Sequence, residues 1–360
     1  MQPSKPIAIR GRGAVDNPPN RFERLAYLSD PELTDHLDET APALRTQFLK
    51  DASRSIIAYN DSPDVGFNAS VNPYRGCEHG CIYCYARPTH EYLGFSAGLD
   101  FETRVLVKED APELLRKELA SPKWKPQVIA MSGVTDCYQP IERKLQLTRR
   151  CLEVFAEFRN PVAIVTKNHL VTRDADILAD MARDNTAGVC VSVTTLDADL
   201  ARVMEPRTSK PADRIEAIEA LSKAGIPTGV MVGPVIPGLT DHELISIVSA
   251  AANAGARFAG YIVVRLPYGV KELFDTWLQE HFPDRRKKVL SHILDVRGGK
   301  LNDPRFKSRM KGEGVYSDQI QSMFKLACRK AGITGRHPQL STDAFRRPPN
   351  RESPQLSLFN

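Results

Sequence analysis

Three cysteines lie close together in the chain, at positions 77, 81 and 84, with the spacing C-x3-C-x2-C. Three thiolates on one short loop can each ligate one iron of a cubane [4Fe-4S] cluster, and the fourth iron then keeps an open coordination position. A fourth cysteine in this run would close the cluster and favour simple electron transfer. Its local absence favours a cluster whose open iron binds a second molecule that undergoes chemistry.

Zinc offers a second interpretation of the same residues, because His79 or His90 could join the three thiolates and complete a tetrahedron. Structural zinc sites usually take their ligands from two separated pairs, whereas this triplet sits on one loop. The other cysteines need less explanation. Cys151 and Cys190 lie in apolar helix and strand patterns typical of a core, and Cys328 lies in the last predicted helix.

The elements that must position this loop alternate between short β-branched runs and amphipathic stretches of helical length, which is the pattern of repeated β-α units and a parallel sheet. The predicted strands cover residues 69–74, 128–132, 162–166, 188–194, 228–233 and 261–265. The predicted helices cover residues 112–120, 144–158, 175–184, 211–224, 241–254, 273–281 and 316–330. Six parallel strands form an incomplete barrel, and right-handed crossovers place their carboxyl ends on one face, where the cysteine loop follows the first strand.

The cysteine run resembles the signature of the radical S-adenosylmethionine (SAM) superfamily, C-x3-C-x-aromatic-C, with Tyr83 at the aromatic position. The resemblance implies an α/β fold, a partial (β/α)6 TIM-like barrel of the radical SAM type, with a [4Fe-4S] cluster whose open iron is chelated by SAM. One electron then cleaves SAM to methionine and a 5′-deoxyadenosyl radical, which abstracts hydrogen from a substrate. Within the superfamily, residues 72–87 resemble the spore photoproduct lyase-like branch, through Asn-Pro-Tyr-Arg-Gly-Cys-x-His-x-Cys-x-Tyr-Cys-Tyr-Ala-Arg.

The resemblance also implies contacts to SAM from the carboxyl ends of the strands. Tyr83 would lie against the adenine. Ser-Gly-Val-Thr-Asp at 132–136 takes the place of the family's Gly-rich segment, so Thr135 and Asp136 would meet the methionine amino group. The groups assigned to the SAM carboxylate and ribose are Lys167, Ser192 and Thr194.

Cys137 is the candidate catalytic residue outside the cluster. True photoproduct lyases use a cysteine near the end of the second strand as a hydrogen-atom donor, and Cys137 is the nearest thiol, placed just beyond that strand end. The displacement puts lyase activity itself in doubt. A cluster of this kind also requires an electron-donor partner.

The charge distribution suggests a nucleic-acid substrate. The net charge is only +5, but residues 284–311 hold ten Lys or Arg against three Asp, and the first 24 residues hold five basic against two acidic side chains. Such stretches can follow a phosphate backbone, which predicts a radical SAM enzyme of DNA repair or modification. Two alternatives stay open: a radical SAM enzyme that modifies a protein or small molecule, and a zinc-stabilised, non-catalytic nucleic-acid-binding module.

Composition changes along the chain predict four regions: an N-terminal extension over residues 1–62, a radical SAM core over 63–268, a helical basic accessory region over 269–340 and a flexible tail over 341–360. The extension carries a helical pattern at residues 30–49 and is not expected to start a core. Seven cysteines are too few for a disulfide scaffold, and an odd number cannot all form pairs. No apolar leader or membrane-spanning run is evident in the sequence. We therefore expect a cytoplasmic protein without a membrane partner.

The tail ends in a short apolar motif that resembles the pentapeptide with which polymerases and repair proteins bind the bacterial sliding clamp. Three apolar side chains would fill a pocket of the clamp while a glutamine anchors the backbone. The residues of this motif are Gln355, Leu356, Ser357, Leu358 and Phe359.

Overall fold

Ten strands form two sheets in the computed structural model, which describes residues 9–22, 44–333 and 337–349. In chain order they are β1 Gln47–Lys50, β2 Ile57–Tyr59, β3 Ala69–Val71, β4 Tyr74–Arg75, β5 Arg104–Val107, β6 Ile129–Met131, β7 Val162–Thr166, β8 Ala187–Val193, β9 Thr228–Val235 and β10 Phe258–Val263. The larger sheet has the order β10-β9-β8-β7-β6-β3-β2, and the smaller has the order β1-β5-β4.

The larger sheet confirms the predicted six-stranded parallel arrangement. β3 and β6 to β10 all pair in parallel, and β2 adds one antiparallel strand at the edge. The last predicted strand was placed too late: it begins at Phe258 rather than at residue 261. The β-branched run that predicted this strand covers only the second half of β10. The first half, Phe-Ala-Gly at 258–260, pairs with β9 although its residues have no strong strand propensity.

Twelve α-helices connect and cover these strands in the described part of the chain. They are α1 Leu99–Thr103, α2 Ala111–Ala120, α3 Glu142–Leu145, α4 Leu147–Phe158, α5 Ala175–Arg183, α6 Ala198–Met204, α7 Pro211–Lys223, α8 Leu244–Asn253, α9 Val270–His281, α10 Pro283–Val296, α11 Ser308–Lys311 and α12 Val315–Ala331. Three 3-10 segments join them: Arg87–Leu93, His169–Asp174 and Asp241–Glu243. Among the described residues, no helix combines the length and apolarity needed to cross a bilayer.

The two faces of the large sheet carry different side chains. On the helix-covered face, alternate residues of β7, β8 and β9, such as Ile164, Val191 and Val232, belong to the main hydrophobic core. Because successive strand residues point to opposite faces, the inner face receives the small and polar residues between them, including Ser192 and Gly233.

The N-terminal extension contributes more to the fold than the sequence suggested. The structure describes residues 44–49 of the helix predicted at 30–49. These residues lead into and contribute to the strand β1, which pairs in parallel with β5. The helical expectation is therefore wrong for these residues, because long-range pairing outweighs a weak local pattern. Ala14, Ile56 and Ile57 are buried in the hydrophobic clusters, so the extension also adds to the core.

The basic accessory region closes the open side of the sheet. α11 packs against β10 at one edge. At the other edge, the loop between β2 and β3 supplies Asp64, which accepts hydrogen bonds from the Arg309 guanidinium at 2.5 Å and from the Lys307 amide at 2.6 Å. This connection joins the two edges of the barrel without a backbone hydrogen-bond ladder.

Residues 337–349 run along the amino ends of the strands. Ser341 N donates to Asn185 O at 2.9 Å before β8, Arg346 N donates to Phe158 O at 2.9 Å before β7, and the Arg347 guanidinium donates to the Trp124 carbonyl at 2.9 Å before β6. The packed chain thus continues past residue 341, where we expected a flexible tail to begin. The clamp-like motif at 355–359 lies outside the described residues, and the predicted domain boundaries stay predictions.

Candidate functional site

The cysteine loop follows β4 and is fixed by backbone hydrogen bonds to several parts of the fold. Cys77 N donates to Phe101 O at 2.8 Å, and Ile82 N donates to Met204 O at 3.1 Å. Within the loop, Cys84 N donates to Cys81 O at 3.2 Å. Cys77 and Cys81 are buried and Cys84 is half-buried, and all three are free thiols. These backbone hydrogen bonds tie the loop to helices α1 and α6.

A fully buried ion pair supports the loop from behind. The Arg87 guanidinium pairs with Glu102 and also donates to the carbonyls of Gly80 and Cys81, at 3.3 and 3.0 Å. Glu102 in turn accepts from the amide of Gly13 at 3.0 Å. A Cβ on Gly13 would stand 1.8 Å from the Gly80 carbonyl oxygen, so only glycine lets the N-terminal segment approach the loop this closely.

The donor set of this loop fits an iron-sulfur cubane. Such a cluster takes one thiolate on each of three irons, and the loop offers three thiols without disulfide partners. Burial raises the pKa of all three cysteines, whereas the Lys167 ammonium acts in the opposite direction on Cys81 and Cys84. Thiols of this kind are protonated when metal is absent and lose their protons on ligation.

The zinc interpretation finds little support in the histidines. His79 Nδ1 lies 3.4 Å from Asp136 Oδ2 and its Nε2 lies 3.2 Å from Asn168 Nδ2, so both ring nitrogens are engaged. Burial lowers the pKa of His79 to about 4, which leaves the ring neutral. His90 places Nε2 on the Arg104 carbonyl at 2.9 Å. Among the described residues, no three His, Cys, Asp or Glu side chains converge on one metal-ion position.

Four of the predicted SAM-contacting residues form one polar network at the strand ends. Lys167, directly after β7, donates from Nζ to Ser192 Oγ at 3.1 Å and to Thr194 Oγ1 at 2.9 Å. The same ammonium donates to Gly233 O at 2.8 Å, and it lies 5.6 Å from the centre of the Tyr83 ring. The Tyr83 hydroxyl lies 3.1 Å from Thr194 Oγ1. The fold thus brings the cysteine loop together with three neighbouring strand ends.

Glu205 is the central residue of this network that sequence reasoning missed. It is completely buried after α6, accepts from the Tyr83 hydroxyl and from Thr194 Oγ1, and lies 3.1 Å from Lys167 Nζ. Arg214 on α7 forms a second ion pair with it. In the sequence Glu205 appears only as a Glu-Pro dipeptide after a helix, and no local pattern marks it as part of a site.

The environment of Lys167 makes the charge of its amine sensitive to nearby anions. Burial lowers the pKa of its ammonium to about 7, and the nearby Arg214 guanidinium acts in the same direction. Its side chain is only 14 % exposed. An amine of this pKa gains its full charge when an anion approaches, which suits contact with a carboxylate.

Thr135 and Asp136 lie beside this network and already hold the fold together. Asp136 accepts from the Lys167 amide at 2.7 Å and from Thr166 Oγ1 at 2.8 Å, besides its contact with the cysteine loop through His79. The Thr135 hydroxyl donates to the Tyr74 carbonyl at 2.9 Å. Their direct contact with SAM stays a prediction.

Cys137 lies in the main hydrophobic core, and none of its described hydrogen bonds reaches the Lys167 network. It is fully buried, and its carbonyl accepts from Thr148 Oγ1 at 2.6 Å. Its amide donates to Ser132 Oγ at 2.9 Å, across a turn in which Ser132 adopts a φ of 80°. The structure therefore places this thiol beneath the turn, and its role as a hydrogen donor stays a prediction.

Comparison with known proteins agrees with this geometry. The family model of the radical SAM superfamily matches residues 71–251. An uncharacterized protein of Mycobacterium tuberculosis is 38 % identical over 232 residues, which cover 63 % of this chain and 68 % of that protein. An uncharacterized protein of Methanocaldococcus jannaschii is 32 % identical over 52 % of this chain and 67 % of its own. A radical SAM Nalpha-GlyT isomerase of Pseudomonas phage M6 is 26 % identical over 48 % of this chain and 34 % of its own.

Solved structures share the fold at low sequence identity. Spore photoproduct lyase complexed with dinucleoside spore photoproduct superposes with a TM-score of 0.56 at 14 % identity, covering 80 % of this chain and 81 % of that one. A variant of the same lyase with bound AdoMet and dinucleoside spore photoproduct gives a TM-score of 0.53 at 15 % identity, covering 81 % and 82 % of the two chains. Because the matched family model is that of an enzyme superfamily, the non-catalytic alternative is wrong. Because the family model covers both the cysteine loop and the strand ends around Lys167, this chain is an enzyme of the radical SAM superfamily with the fold of the spore photoproduct lyase-like branch.

Proposed function

We propose that this enzyme holds a [4Fe-4S] cluster on Cys77, Cys81 and Cys84, cleaves SAM reductively, and acts on a nucleotide unit of DNA. The observation that carries the proposal is the adjacency of the cysteine loop to the Lys167 network. A cluster at this loop supplies the electron that converts SAM to methionine and a 5′-deoxyadenosyl radical.

The residues of the network have separate tasks in this proposal. Lys167 offers its ammonium to the SAM carboxylate, and the hydroxyls of Ser192 and Thr194 serve as polar contacts beside it. Tyr83 presents its ring to the adenine, held by the hydrogen bond from its hydroxyl to Glu205. Glu205 itself neutralises the buried cations and touches no ligand, so it acts as a positioning residue.

Support for a nucleic-acid substrate comes from a basic cleft at the rim of the barrel. A cavity of about 600 Å³ lies between the loop after β9 and helix α10, and it is lined by His242, Arg285, Lys288 and His292. The carboxylate in its wall, Asp241, accepts a hydrogen bond from the Tyr316 hydroxyl. A concave surface with two cationic side chains is suited to a phosphate backbone.

Not all of the predicted basic stretch faces this cleft. Arg286 is paired with Asp275 through two hydrogen bonds of 2.6 and 2.7 Å, and Arg305 is paired with Asp303 at 2.8 Å. Arg297 is buried inside the accessory region. The local excess of positive charge is thus smaller than the sequence count suggests, and Arg285 and Lys288 are the cations of this stretch that line the cleft.

The experiment has two stages, because the chemistry and the substrate are separate claims. Anaerobic reconstitution should give about four irons and four sulfides per chain, and the reduced protein should release 5′-deoxyadenosine from SAM. Absence of either result contradicts the cluster proposal.

The second stage measures DNA affinity against salt concentration. Arg285→Gln with Lys288→Gln should lower the slope of log affinity against log salt by about 2, since each phosphate contact contributes roughly one. Arg286→Gln is the matched control, because it removes a charge from the same helix that Asp275 already neutralises. Salt-independent or absent DNA binding would favour a protein or small-molecule substrate instead.

A further inference from the structure

Four flat side chains gather on the protein surface beyond the carboxyl end of β10. The guanidinium carbon of Arg21 lies 3.6 Å from the centre of the Tyr268 ring and 4.9 Å from the centre of the Phe22 ring. The ring centres of Phe22 and Tyr92 are 4.8 Å apart. We call these four residues the aromatic cluster.

Three distant segments of the chain supply this cluster. Its arginine and phenylalanine come from the N-terminal extension, Tyr92 comes from the 3-10 segment after the cysteine loop, and Tyr268 comes from the loop between β10 and α9. The Asn20 amide side chain fixes the extension beside the 3-10 segment, since it donates to the carbonyls of Glu91 and Phe95, each at 2.9 Å. The cluster is thus a product of the assembled fold rather than of one protruding loop.

The three rings of the cluster are largely open to solvent. Tyr92 is 73 % exposed, Tyr268 is 58 % exposed and Phe22 is 56 % exposed. Tyr268 also has a φ of 49°, which residues other than glycine rarely adopt. Single exposed rings are ordinary, whereas exposed apolar groups that gather in one place mark a binding surface.

The charge of Arg21 is already compensated within the protein. Its Nε lies 2.6 Å from a carboxylate oxygen of Glu91, whose side chain is buried, and its amide donates to the other oxygen at 3.3 Å. A phosphate or carboxylate ligand would compete with Glu91 for this guanidinium. The plane of the guanidinium, which lies against the Tyr268 ring, extends the flat surface of the rings. The cluster therefore suits a flat, uncharged ring better than an anion.

Helix α9 connects the aromatic cluster to the basic cleft at the rim. Tyr268 lies just before the amino end of α9, and Arg285 of the cleft comes shortly after its carboxyl end. The helix has 12 residues and is therefore about 18 Å long. One DNA strand advances about 3.4 Å per nucleotide, so about five nucleotides span this length. A strand whose phosphates lie in the cleft can thus reach the cluster with its bases.

We propose that the aromatic cluster binds bases of single-stranded DNA by stacking. This inference rests on the proposed function and deepens it, since it names an unpaired strand as the form of the substrate. Aromatic rings and arginine planes stack on any base, because every base has a flat face. In a duplex these faces are already stacked on one another, so the cluster selects a strand whose bases are free.

The test uses the full-length, reconstituted protein with two single-stranded probes, a thymidine decamer and an abasic decamer that has the same phosphates but no bases. Fluorescence anisotropy should show that the wild type binds the thymidine decamer at least about tenfold more tightly, as expected for stacking of one or more bases. Tyr268→Ala and Tyr92→Ala should each reduce this preference about fivefold to tenfold without changing the salt dependence, because stacking displaces no counterions. Tyr268→Phe should bind like the wild type, since it keeps the ring.

Tyr59→Ala is the matched control for these variants. Tyr59 is 67 % exposed on the edge strand β2 and belongs to a different part of the surface, so its removal should leave both affinities unchanged. Tyr92→Ala also guards against misfolding, because Tyr92 lies outside the strained turn of Tyr268. Melting temperatures of all variants identify any loss that reflects unfolding.

The outcomes separate this inference from the proposed function. Equal affinity of the wild type for the two decamers, or a wild-type preference in both alanine variants, overturns the stacking role. If the alanine variants weaken both decamers equally, the cluster contacts the backbone and the inference is also wrong. Salt-dependent binding of the abasic decamer in any of these cases leaves the DNA proposal standing. Absence of binding to either decamer contradicts both and turns the cluster into a candidate protein interface.

Discussion

Replacing Lys167 by methionine should stabilise the iron-free protein while weakening its binding of SAM. Burial lowers the pKa of this ammonium from 10.5 to about 7. At neutral pH such a lowering costs the folded state about 4 kcal/mol relative to an amine in water. Methionine has a similar length and no charge, so it removes this cost.

The methionine side chain cannot donate hydrogen bonds or pair with Glu205, and this offsets part of the gain. The Gly233 carbonyl still accepts from the Ser192 hydroxyl at 3.1 Å and is not left unpaired. Glu205 keeps its ion pair with the Arg214 guanidinium. The hydrogen bonds and the ion pair of Lys167 are together worth about 2–3 kcal/mol, so the free energy of unfolding should rise by about 1–2 kcal/mol at pH 7.

The pH dependence provides an independent check. Between pH 7 and 10.5 the unfolded chain binds a proton at Lys167 that the folded chain releases, so wild-type stability rises with pH across this window. The advantage of the methionine variant should therefore shrink as the pH approaches 10.5. Urea denaturation at pH 7 and pH 9 measures it, with Lys325→Met as the control because Lys325 is exposed on α12.

Calorimetric titration of the reconstituted protein with SAM completes the experiment. We expect the affinity of Lys167→Met for SAM to fall at least about tenfold, since methionine cannot make a charge-assisted hydrogen bond to a carboxylate. A fall in unfolding free energy of more than about 1 kcal/mol would refute the reasoning about burial. Unchanged SAM affinity would remove Lys167 from the site.

Four further predictions concern other parts of the chain. Cys81→Ala should abolish cluster assembly while far-ultraviolet circular dichroism stays that of the wild type, and wild-type iron content would contradict the ligand assignment. Cys137→Ala should keep 5′-deoxyadenosine formation but alter the products, whereas identical products end its proposed role as a hydrogen donor. Burial lowers the pKa of His90 to about 4, so the free energy of unfolding should fall as the pH drops from 6.5 to 4. In urea titrations His90→Gln should reduce that loss by about 3 kcal/mol. An equal loss in both proteins would contradict the assignment of this pH dependence to His90. A peptide of residues 350–360 should bind the bacterial sliding clamp, and Leu358→Ala with Phe359→Ala should weaken it by at least about 2 kcal/mol; equal binding by both peptides discards the motif.

The parallel strands could be predicted from sequence because each is a short β-branched run between helices of clear periodicity. The family resemblance assigned Lys167, Ser192 and Thr194 to the site, and the structure brings them together because parallel strands carry their carboxyl ends to one face. β1 was missed because its pairing with β5 joins residues far apart in the chain. A local helical pattern contains no information about a strand partner that is distant in the chain.

Residues that act through the assembled fold were beyond sequence reasoning. Glu205 reaches the network only after α6 and the cysteine loop pack together, through the bond from Ile82 N to the Met204 carbonyl. The neighbouring arginines 285 and 286 look equivalent in the sequence. Their helix turns one into the rim cleft and the other toward Asp275, which decides the charge that a phosphate can meet.

The hydrogen-bond acceptors around the buried cations distinguish cations that support the fold from cations that could bind a ligand. Arg87 and Arg214 each have a buried carboxylate partner, and both hold elements of the site together. Lys167 has a partner but keeps a pKa far below that of an amine in water. This incompletely compensated cation lies at the carboxyl end of β7, on the face of the cysteine loop. Because an incompletely compensated charge destabilises a fold, its retention there agrees with our proposal that the carboxylate of SAM binds at Lys167.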